Sequence, residues 1–474
     1  MANDSQRPDQ RGTTDSTDTK KAPSFPVRAR MVLRVPPVWI FPVCIPAVLI
    51  TIMTFIYVGS VLNPVAHLHG LPVMVVNQDR GGDVGGPHVN EGETVVNALT
   101  HTTAVSSRLG LSVATLKEAE AVMNRGGAYA TVVIPRTFTV SLLEAASGAP
   151  ATTSSVPAQP AVQLLENVRA GSLGVSLAAG VLTPAFHAIS THVGADLVAQ
   201  SSPAARATSY ATAQLRDPIA LTTTSYRPLP ANTALGLSAF YVSLLAMMAG
   251  FLGATIINSS LDGALGYATT ELGPRWKQRR PVPIERLQTL ILKWTVALVA
   301  IPVLTAMIVG VAAGILRMDA PHTALLWAVL TLAAMMVAFT TLTLFAAFGS
   351  IGQLLAMVAL VYLSLASSGG TVPTQALPGF YNVVGRLEPL RQVLTGARAV
   401  LYFGAQADAG LTHVAIVLGS EALVAVVAGL AITSRYDHKG LYRLSPDLIT
   451  FVSRVADERQ ASQQPALAGE RTSS

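Results

Sequence analysis

One acidic residue stands alone in an apolar stretch near the end of the sequence. Glu421 is the only formally charged residue between Asp408 and Arg435, which places it near the middle of a segment that can cross a membrane. A charged group at that depth costs about 2.5–3.5 kcal/mol on insertion scales and usually faces a partner or water. Two roles remain open: a protonated carboxyl that hydrogen-bonds a polar neighbour such as Gln353, or a group of a proton or substrate pathway.

A pair of arginines forms a second group of candidates. Arg391 and Arg398 lie two helical turns apart on one flank of an amphipathic segment. The apolar residues of this segment follow at spacings of three and four: Leu387, Leu390, Leu394, Ala397 and Leu401. The arginines either anchor to lipid phosphates or to Glu388, or they form a gate for a lipid or anionic substrate.

The stretch "SSGGT" precedes this segment and resembles, superficially, the signature of an ATPase. No Walker A motif accompanies it, so we interpret Ser368, Gly369 and Gly370 as a backbone bend at the outer membrane surface, in the transport pathway. A catalytic Ser elbow and a His-Glu-x-x-His motif are also missing, and the histidines form no convincing ligand set. We therefore predict that the chain is not an enzyme and binds neither metal nor cofactor.

Composition determines which elements must position these residues. Hydrophobic residues make up 51% of the 474 residues and charged residues only 12%, as in membrane proteins. Uncharged stretches long enough to cross a bilayer predict six transmembrane helices. They lie at about 35–61, 231–260, 294–316, 323–347, 352–367 and 411–433. The last five form a transmembrane domain over 231–433, with an outer re-entrant segment at 367–410.

Lysine and arginine cluster before the first span, between the second and third, and after the sixth, which predicts an orientation. The cytoplasmic parts are a disordered tail over 1–34, a loop over 261–293 and a tail over 434–474. Both termini are then cytoplasmic in a multi-pass protein of the plasma (inner) membrane. The surplus of 32 basic over 26 acidic residues is topological, and no nucleic-acid motif accompanies it.

The large insert over 62–230 is predicted to be an extracytoplasmic α/β domain between the first and second helices. It opens with "LPVMVVNQDRGG", a strand followed by a turn at Asn77, Asp79, Gly81 and Gly82. A helix stopped by Gly110, a second helix, and the strand "AYATVVIP" follow. Asn77 and Asp79 either shape the turn or bind a ligand.

Four stretches carry a resemblance to known families. They are "LPVMVVNQDRGG", "GGAYATVVIPRTFTVSLL", "SSGGTVPTQALPGFY" and "LEPLRQVLTGARAVLYFG". With the order of one span, an insert and five spans, the chain resembles the YhgE/Pip (phage-infection-protein-related) and other DUF3533-like uncharacterised families of the type-2 ABC exporter permease superfamily. This resemblance implies a homodimer among membrane lipids and a separate ABC ATPase subunit that meets the loop at 261–293.

The resemblance favours export of a hydrophobic or amphipathic substrate, such as a lipid, an envelope precursor or a drug. Two alternatives remain open. One is a cell-surface scaffold or receptor without transport, of the phage-infection or secretion-assembly type. The other is a proton-coupled exporter that uses Glu421.

Overall fold

The computed structural model describes residues 37–82, 88–147, 159–200, 216–273, 275–386, 388–441, 443, 450–451 and 454. The chain divides into two units, 1–52 and 53–474. Helix α1, Pro37–Val61, begins in the first unit, and most of its apolar side chains are exposed. The predicted tail over 1–34, most of the tail over 434–474, and Leu387 lie outside the described residues.

A five-stranded sheet is the centre of the α/β domain in the second unit. Its strands are β1 (Leu71–Asn77), β2 (Leu109–Val113), β3 (Ala130–Ile134), β4 (Ala161–Glu166) and β5 (Ala220–Ser225). The spatial order is β2-β1-β3-β4-β5, and every neighbouring pair is parallel except β3 with β4. The predicted α/β domain is therefore present.

A continuous run of apolar residues lets β1 bury both of its faces. Leu71, Val73 and Val75 pack beneath helices α2 (Glu91–His101), α5 (Phe138–Ser147) and α6 (Ser172–Gln200). Met74 and Val76 pack on the other face against α4 (Leu116–Asn124), whose first turn is fixed by a capping box of Thr115 and Glu118. The domain thus has a helical layer on each side of the sheet.

The predicted long helix before Gly110 is wrong in its second half. Helix α2 ends at His101, the short helix α3 (Thr103–Ser106) follows, and Gly110 lies inside β2. A Cβ atom at Gly110 would lie 3.1 Å from the carbonyl oxygen of Gly70, so the glycine permits the close approach of β2 to the start of β1. The edge strand β2 is short and half exposed, so its apolar pattern is weak.

Helices of different lengths form most of the rest of the second unit. They are α7 (Ser238–Ala264), α8 (Arg286–Val309, continued by a π-helical turn Gly310–Ile315), α9 (Thr323–Phe348), α10 (Ser350–Ala356, continued by a π-helical turn Met357–Leu363), α11 (Ser364–Ser367), α12 (Gly379–Val384), α13 (Pro389–Tyr402) and α14 (Leu411–His438). Gly349, with φ of 62°, makes the tight turn between α9 and α10.

Helix α13 is the predicted amphipathic helix, but it is buried more completely than expected. Eleven of its residues are buried, and its apolar side chains share one core with α7, α9 and α14. It therefore packs inside the helical bundle. Glu388 precedes it and Pro389 occupies its first turn, where the missing N–H of proline has no cost.

The loop between α7 and α8 is shorter than the predicted 261–293, because both helices continue into it. It carries a two-stranded hairpin, β6 (Thr270–Leu272) and β7 (Arg275–Lys277). Asp262 and Lys293 lie within the helices, where each neutralises the other.

Seven helices of the described residues are long and apolar enough to cross a membrane, so the chain is a multi-pass membrane protein. The additional one relative to the predicted six is α6, over Ser172–Ala199. Its side chains from Ala178 to Leu197 pack against the sheet, which accounts for its apolar composition.

Candidate functional site

The turn after β1 positions Asn77 and Asp79 by hydrogen bonds inside the α/β domain. The Asn77 side-chain oxygen accepts from the backbone N–H of Asp79 at 2.9 Å. The Asp79 carboxylate accepts from the N–H of Gly92 at 3.1 Å, the N–H of Thr139 at 3.2 Å, and the Thr139 hydroxyl. Because Gly92 and Thr139 lie in the first turns of α2 and α5, Asp79 caps two helices. These hydrogen bonds engage the side-chain oxygens of Asn77 and Asp79 that a ligand would need.

Gly81 and Gly82 complete this turn. Gly81 has φ of 73°, and a Cβ atom there would lie 2.6 Å from the carbonyl oxygen of Val89. Gly82 exchanges backbone hydrogen bonds with Val89 at 2.9 and 3.2 Å. Only glycine meets both demands at Gly81 without strain. Asn77, Asp79, Gly81 and Gly82 thus form a hydrogen-bonded turn after β1.

Arg391 and Arg398 face the α/β domain from the side of α13. Their charges act on Tyr129, whose phenol pKa is raised by burial although both arginines act to lower it. Arg398 donates to the carbonyl oxygen of Gly370 at 3.5 Å. Nη1 of Arg391 and Nε of Arg398 are buried and have no hydrogen-bond partner among the described residues. Neither arginine forms an ion pair within the described chain, so a contact with Glu388, one of the alternatives considered, is not observed.

Ser368, Gly369 and Gly370 form the bend that ends α11. Gly369 has φ of 72°, and the Ser368 hydroxyl accepts from the N–H of Gly370 at 3.2 Å. Gly370 packs so closely on the Phe240 ring that any side chain there would collide with it. The bend therefore lies between the start of α7 and Arg398, and its carbonyl group is directed at the arginine.

Glu421 lies in an apolar groove of about 490 Å³ on the helical bundle. Among the described residues that line it, Glu421 is the only charged one. The other lining residues come from α9, the π-helical turn after α10, the start of α13, and α14: Met336, Thr340, Thr343, Leu344, Ala347, Phe348, Leu360, Pro389, Ser420, Val424, Ala425, Ala428 and Ile432. Oε2 of Glu421 has no hydrogen-bond partner among the described residues, so this atom makes no bond with Gln353, the neighbour considered in one of the two alternatives.

A second carboxyl lies near Glu421, and sequence reasoning treated it only as a partner for the arginines. Glu388 is 7% exposed and accepts from the Ser364 hydroxyl. Glu388 lies outside the apolar helices. Burial raises its pKa to about 7, although the Ser364 hydrogen bond acts to lower it, and the Glu421 charge adds to the rise. Glu388 is buried and Glu421 is half-buried, and the negative charge of Glu421 disfavours ionisation of Glu388.

A charged cluster at the C-terminal end of α7 was also not predicted from the sequence. Lys293 Nζ lies 2.7 Å from an Asp262 carboxylate oxygen and 2.7 Å from the side-chain oxygen of Asn258. Arg443 binds the same carboxylate through two hydrogen bonds of 2.6 and 2.7 Å. In the sequence, Asp262 and Lys293 are an acid and a base at the facing ends of two spans. Because both were predicted to lie in the loop at 261–293, their pairing was not predicted.

The candidate transport residues thus fall into two groups. Arg391, Arg398 and the bend at 368–370 meet beside the α/β domain, whereas Glu421 lies with Glu388 farther along the bundle. Helix α13 connects the two groups, since it begins after Glu388 and carries both arginines. Gln353 belongs to neither group, since it lines neither the groove nor the bend.

Comparison with known proteins gives a family. None of the curated proteins matches the chain. A solved domain assigned to an ABC type-2 transporter of Thermotoga maritima MSB8 is 19% identical, over 33% of this chain and 85% of that one, with a TM-score of 0.22. The model of DUF3533, described as a protein of unknown function, matches residues 43–424. This match spans most of the chain, which therefore belongs to the DUF3533 family.

Proposed function

We propose that this protein is a permease-like membrane subunit that exports a hydrophobic or amphipathic substrate across the plasma membrane. In this proposal α1, α7, α8, α9, the α10–α11 segment and α14 are the six spans. Helix α6 belongs to the extracytoplasmic domain. Both termini are cytoplasmic, as the positions of Lys and Arg favour. The relation to the YhgE/Pip-like exporters belongs to the same proposal.

The observation that carries the proposal is the groove around Glu421. Its walls are apolar side chains and a few hydroxyl groups, and one carboxyl is its only charge. Pockets of this kind bind apolar molecules and use a few polar groups to orient them. An ionisable group inside a bundle of spans marks a pathway by default.

The chemistry of the groove favours one class of substrate. A carboxyl in an apolar pocket attracts a cation or a hydrogen-bond donor, since burial strengthens both interactions. The two buried guanidinium groups of Arg391 and Arg398 lie elsewhere, beside the α/β domain. We therefore expect the substrate to be a hydrophobic molecule that carries an amine or another hydrogen-bond donor, with its apolar part along α14.

Filling the groove tests the proposal. Val424 lines the groove and Val427 does not, although both are exposed on the same helix, at 67% and 56%. Val424→Trp is expected to abolish efflux of hydrophobic fluorescent amines such as rhodamine 6G, measured in cells at equal expression. Val427→Trp is the matched control and should retain efflux. Equal behaviour of the two variants, or no efflux that depends on the protein, contradicts the proposal.

Proton coupling is a second candidate, favoured by the Glu388–Glu421 pair. A shared proton could be exchanged for a cationic substrate at each cycle. Glu421→Gln in proteoliposomes should then abolish efflux driven by a pH gradient, whereas counterflow of labelled substrate without a gradient should persist. Unchanged efflux across the gradient would exclude this mechanism.

A separate ATPase and a homodimer complete the proposal. The hairpin β6–β7 is the element between α7 and α8 that could contact an ATPase. Purification from the native membrane should recover a nucleotide-binding subunit in stoichiometric amount. Recovery of the protein alone would leave the proton-coupled version as the remaining mechanism.

A further inference from the structure

A small pocket lies between the α/β domain and the helical bundle, at the start of α6. Its volume is about 20 Å³, which is slightly more than one water-sized group needs. On the side of the α/β domain it is lined by Tyr129 and the segment 170–174. On the side of the bundle it is lined by 235–237, 369–371, Pro373 and Arg398. The pocket therefore admits one small chemical group of a ligand, and the rest of the ligand lies outside it.

Arg398 brings a positive charge to this pocket without an acid beside it. Its Nε atom is buried and has no hydrogen-bond partner among the described residues. Its Nη2 atom donates to the carbonyl oxygen of Gly370 at 3.5 Å, which is a long and weak hydrogen bond. No ion pair of the described chain includes Arg398, and none of the described residues that line the pocket is acidic. A cation in such surroundings is costly unless an anion compensates its charge.

The first turn of α6 adds backbone donors to the same pocket. The N–H groups of Ser172, Leu173 and Gly174 have no acceptor within the described part of the chain. They begin a helix of 29 residues, and the N-terminus of a helix carries a partial positive charge. Free N–H groups at such a helix end bind phosphate and carboxylate groups.

Two glycines hold the helix start, the Tyr129 ring and the arginine close together. A Cβ atom at Gly171 would lie 3.6 Å from Nη2 of Arg398, so the guanidinium group lies beside the first turn of α6. A Cβ atom at Gly174 would collide with the Tyr129 ring, so the ring packs directly on the helix backbone. The guanidinium group and the backbone donors are therefore close enough to bind the same anion.

The surroundings of the pocket indicate the class of ligand. A guanidinium group presents parallel donors that match the oxygens of a phosphate or a carboxylate. Leu173 and Leu235 also line the pocket and are 37% and 76% exposed, so apolar surface adjoins the anion site. We propose that this pocket binds an oxyanion group, carried by an amphipathic lipid or by a small soluble molecule. The proposal is independent of the exported substrate, because the pocket and the Glu421 groove share no lining residue.

The test uses the full-length protein and native mass spectrometry. Inorganic phosphate and acetate are the soluble probes in detergent. Nanodiscs of phosphatidylcholine, with or without phosphatidylglycerol, provide the lipid probe. Binding of phosphate or acetate indicates a soluble ligand, whereas retention of phosphatidylglycerol without binding of the soluble probes indicates a lipid headgroup. Both results support an oxyanion site if they depend on the residues of the pocket.

Arg398→Gln should weaken the observed binding by about tenfold, the usual cost of one charge-assisted hydrogen bond. Ser172→Asp places a carboxylate in the lining, where it competes for the same donors, and should weaken binding to a similar extent. An acid in the first turn also favours the helix, so this variant tests the proposal even where Arg398→Gln fails to fold.

Ser176→Asp is the matched control. Ser176 is exposed one turn farther along α6 and does not line the pocket, so the same added charge should leave binding unchanged. Three results would overturn the proposal. They are no binding of any probe, wild-type binding by Ser172→Asp, and an equal loss of binding in Ser172→Asp and Ser176→Asp.

Discussion

Removing the acid from the Asp262 cluster is the most informative test of how this bundle is stabilised. Asp262 is 7% exposed and accepts three hydrogen bonds of 2.6–2.7 Å from Lys293 and Arg443. Asp262→Asn keeps the shape of the side chain but leaves two cations without their counter-charge. Breaking a buried ion pair in this way costs about 3–5 kcal/mol.

A double-mutant cycle distinguishes the cost of an uncompensated charge from the cost of the lost hydrogen bonds. Lys293→Met keeps an unbranched apolar chain and leaves Asp262 with the two bonds from Arg443, so we expect a cost of about 1–2 kcal/mol. In the double variant no lysine charge remains to be compensated. We therefore expect the double variant to lose less free energy of unfolding than the two single variants together, by about 1–2 kcal/mol.

The assay is unfolding of the full-length protein by SDS in mixed micelles, followed by circular dichroism and tryptophan fluorescence. Glu271→Gln, an acid in the hairpin of the same loop, is the control and should change the free energy of unfolding by about 0.5 kcal/mol or less. A cost below about 1 kcal/mol for Asp262→Asn, or strict additivity in the cycle, would refute the assignment of a coupled buried cluster.

Three further predictions concern other positions. Asp79→Ala removes three hydrogen bonds at the N-termini of α2 and α5, although Asn90 remains the N-cap of α2, and should lower the free energy of unfolding by about 2–4 kcal/mol, measured by denaturant titration. Gly81→Ala should cost about 1–3 kcal/mol because of its positive φ, whereas Gly180→Ala in the open middle of α6 should be neutral or stabilising. Glu388 has a raised pKa, so its contribution is complete below its unfolded pKa, near 4.5, and is lost as pH rises through about 7. Wild type should therefore lose about 3 kcal/mol relative to Glu388→Gln between pH 4 and 8, in a pH series of thermal unfolding; equal pH dependence of the two proteins would contradict this.

The apolar spans, the sheet domain and α13 could be predicted because each depends on a local pattern. Long uncharged runs, short continuous apolar runs and apolar spacings of three and four are visible in the sequence. The edge strand β2 could not be predicted reliably, since Gly110 is equally typical of a helix end. The helix α6 has the length and composition of a span, and only its packing on the sheet distinguishes it.

The candidate sites were harder to predict, because partners far apart in sequence decide their chemistry. Tyr129 lies more than 260 residues before the arginines it faces. Glu421 was identified from its isolation in the sequence. Its neighbour Glu388 gave no such signal, because it lies close to several basic residues. Arg443 joins Asp262 across 181 residues, and no local pattern indicates that contact.

The attachment of α13 has a mechanical consequence. The Tyr402 hydroxyl at its end bonds Ser238 at 2.8 Å, and the Tyr402 carbonyl accepts from Arg169 of the α/β domain at 3.0 Å. At its other end, Glu388 lies beside the Glu421 carboxyl. Fourteen helical residues behave as a stiff rod about 21 Å long. A displacement of the sheet domain relative to the bundle would therefore be transmitted along this helix to Glu388.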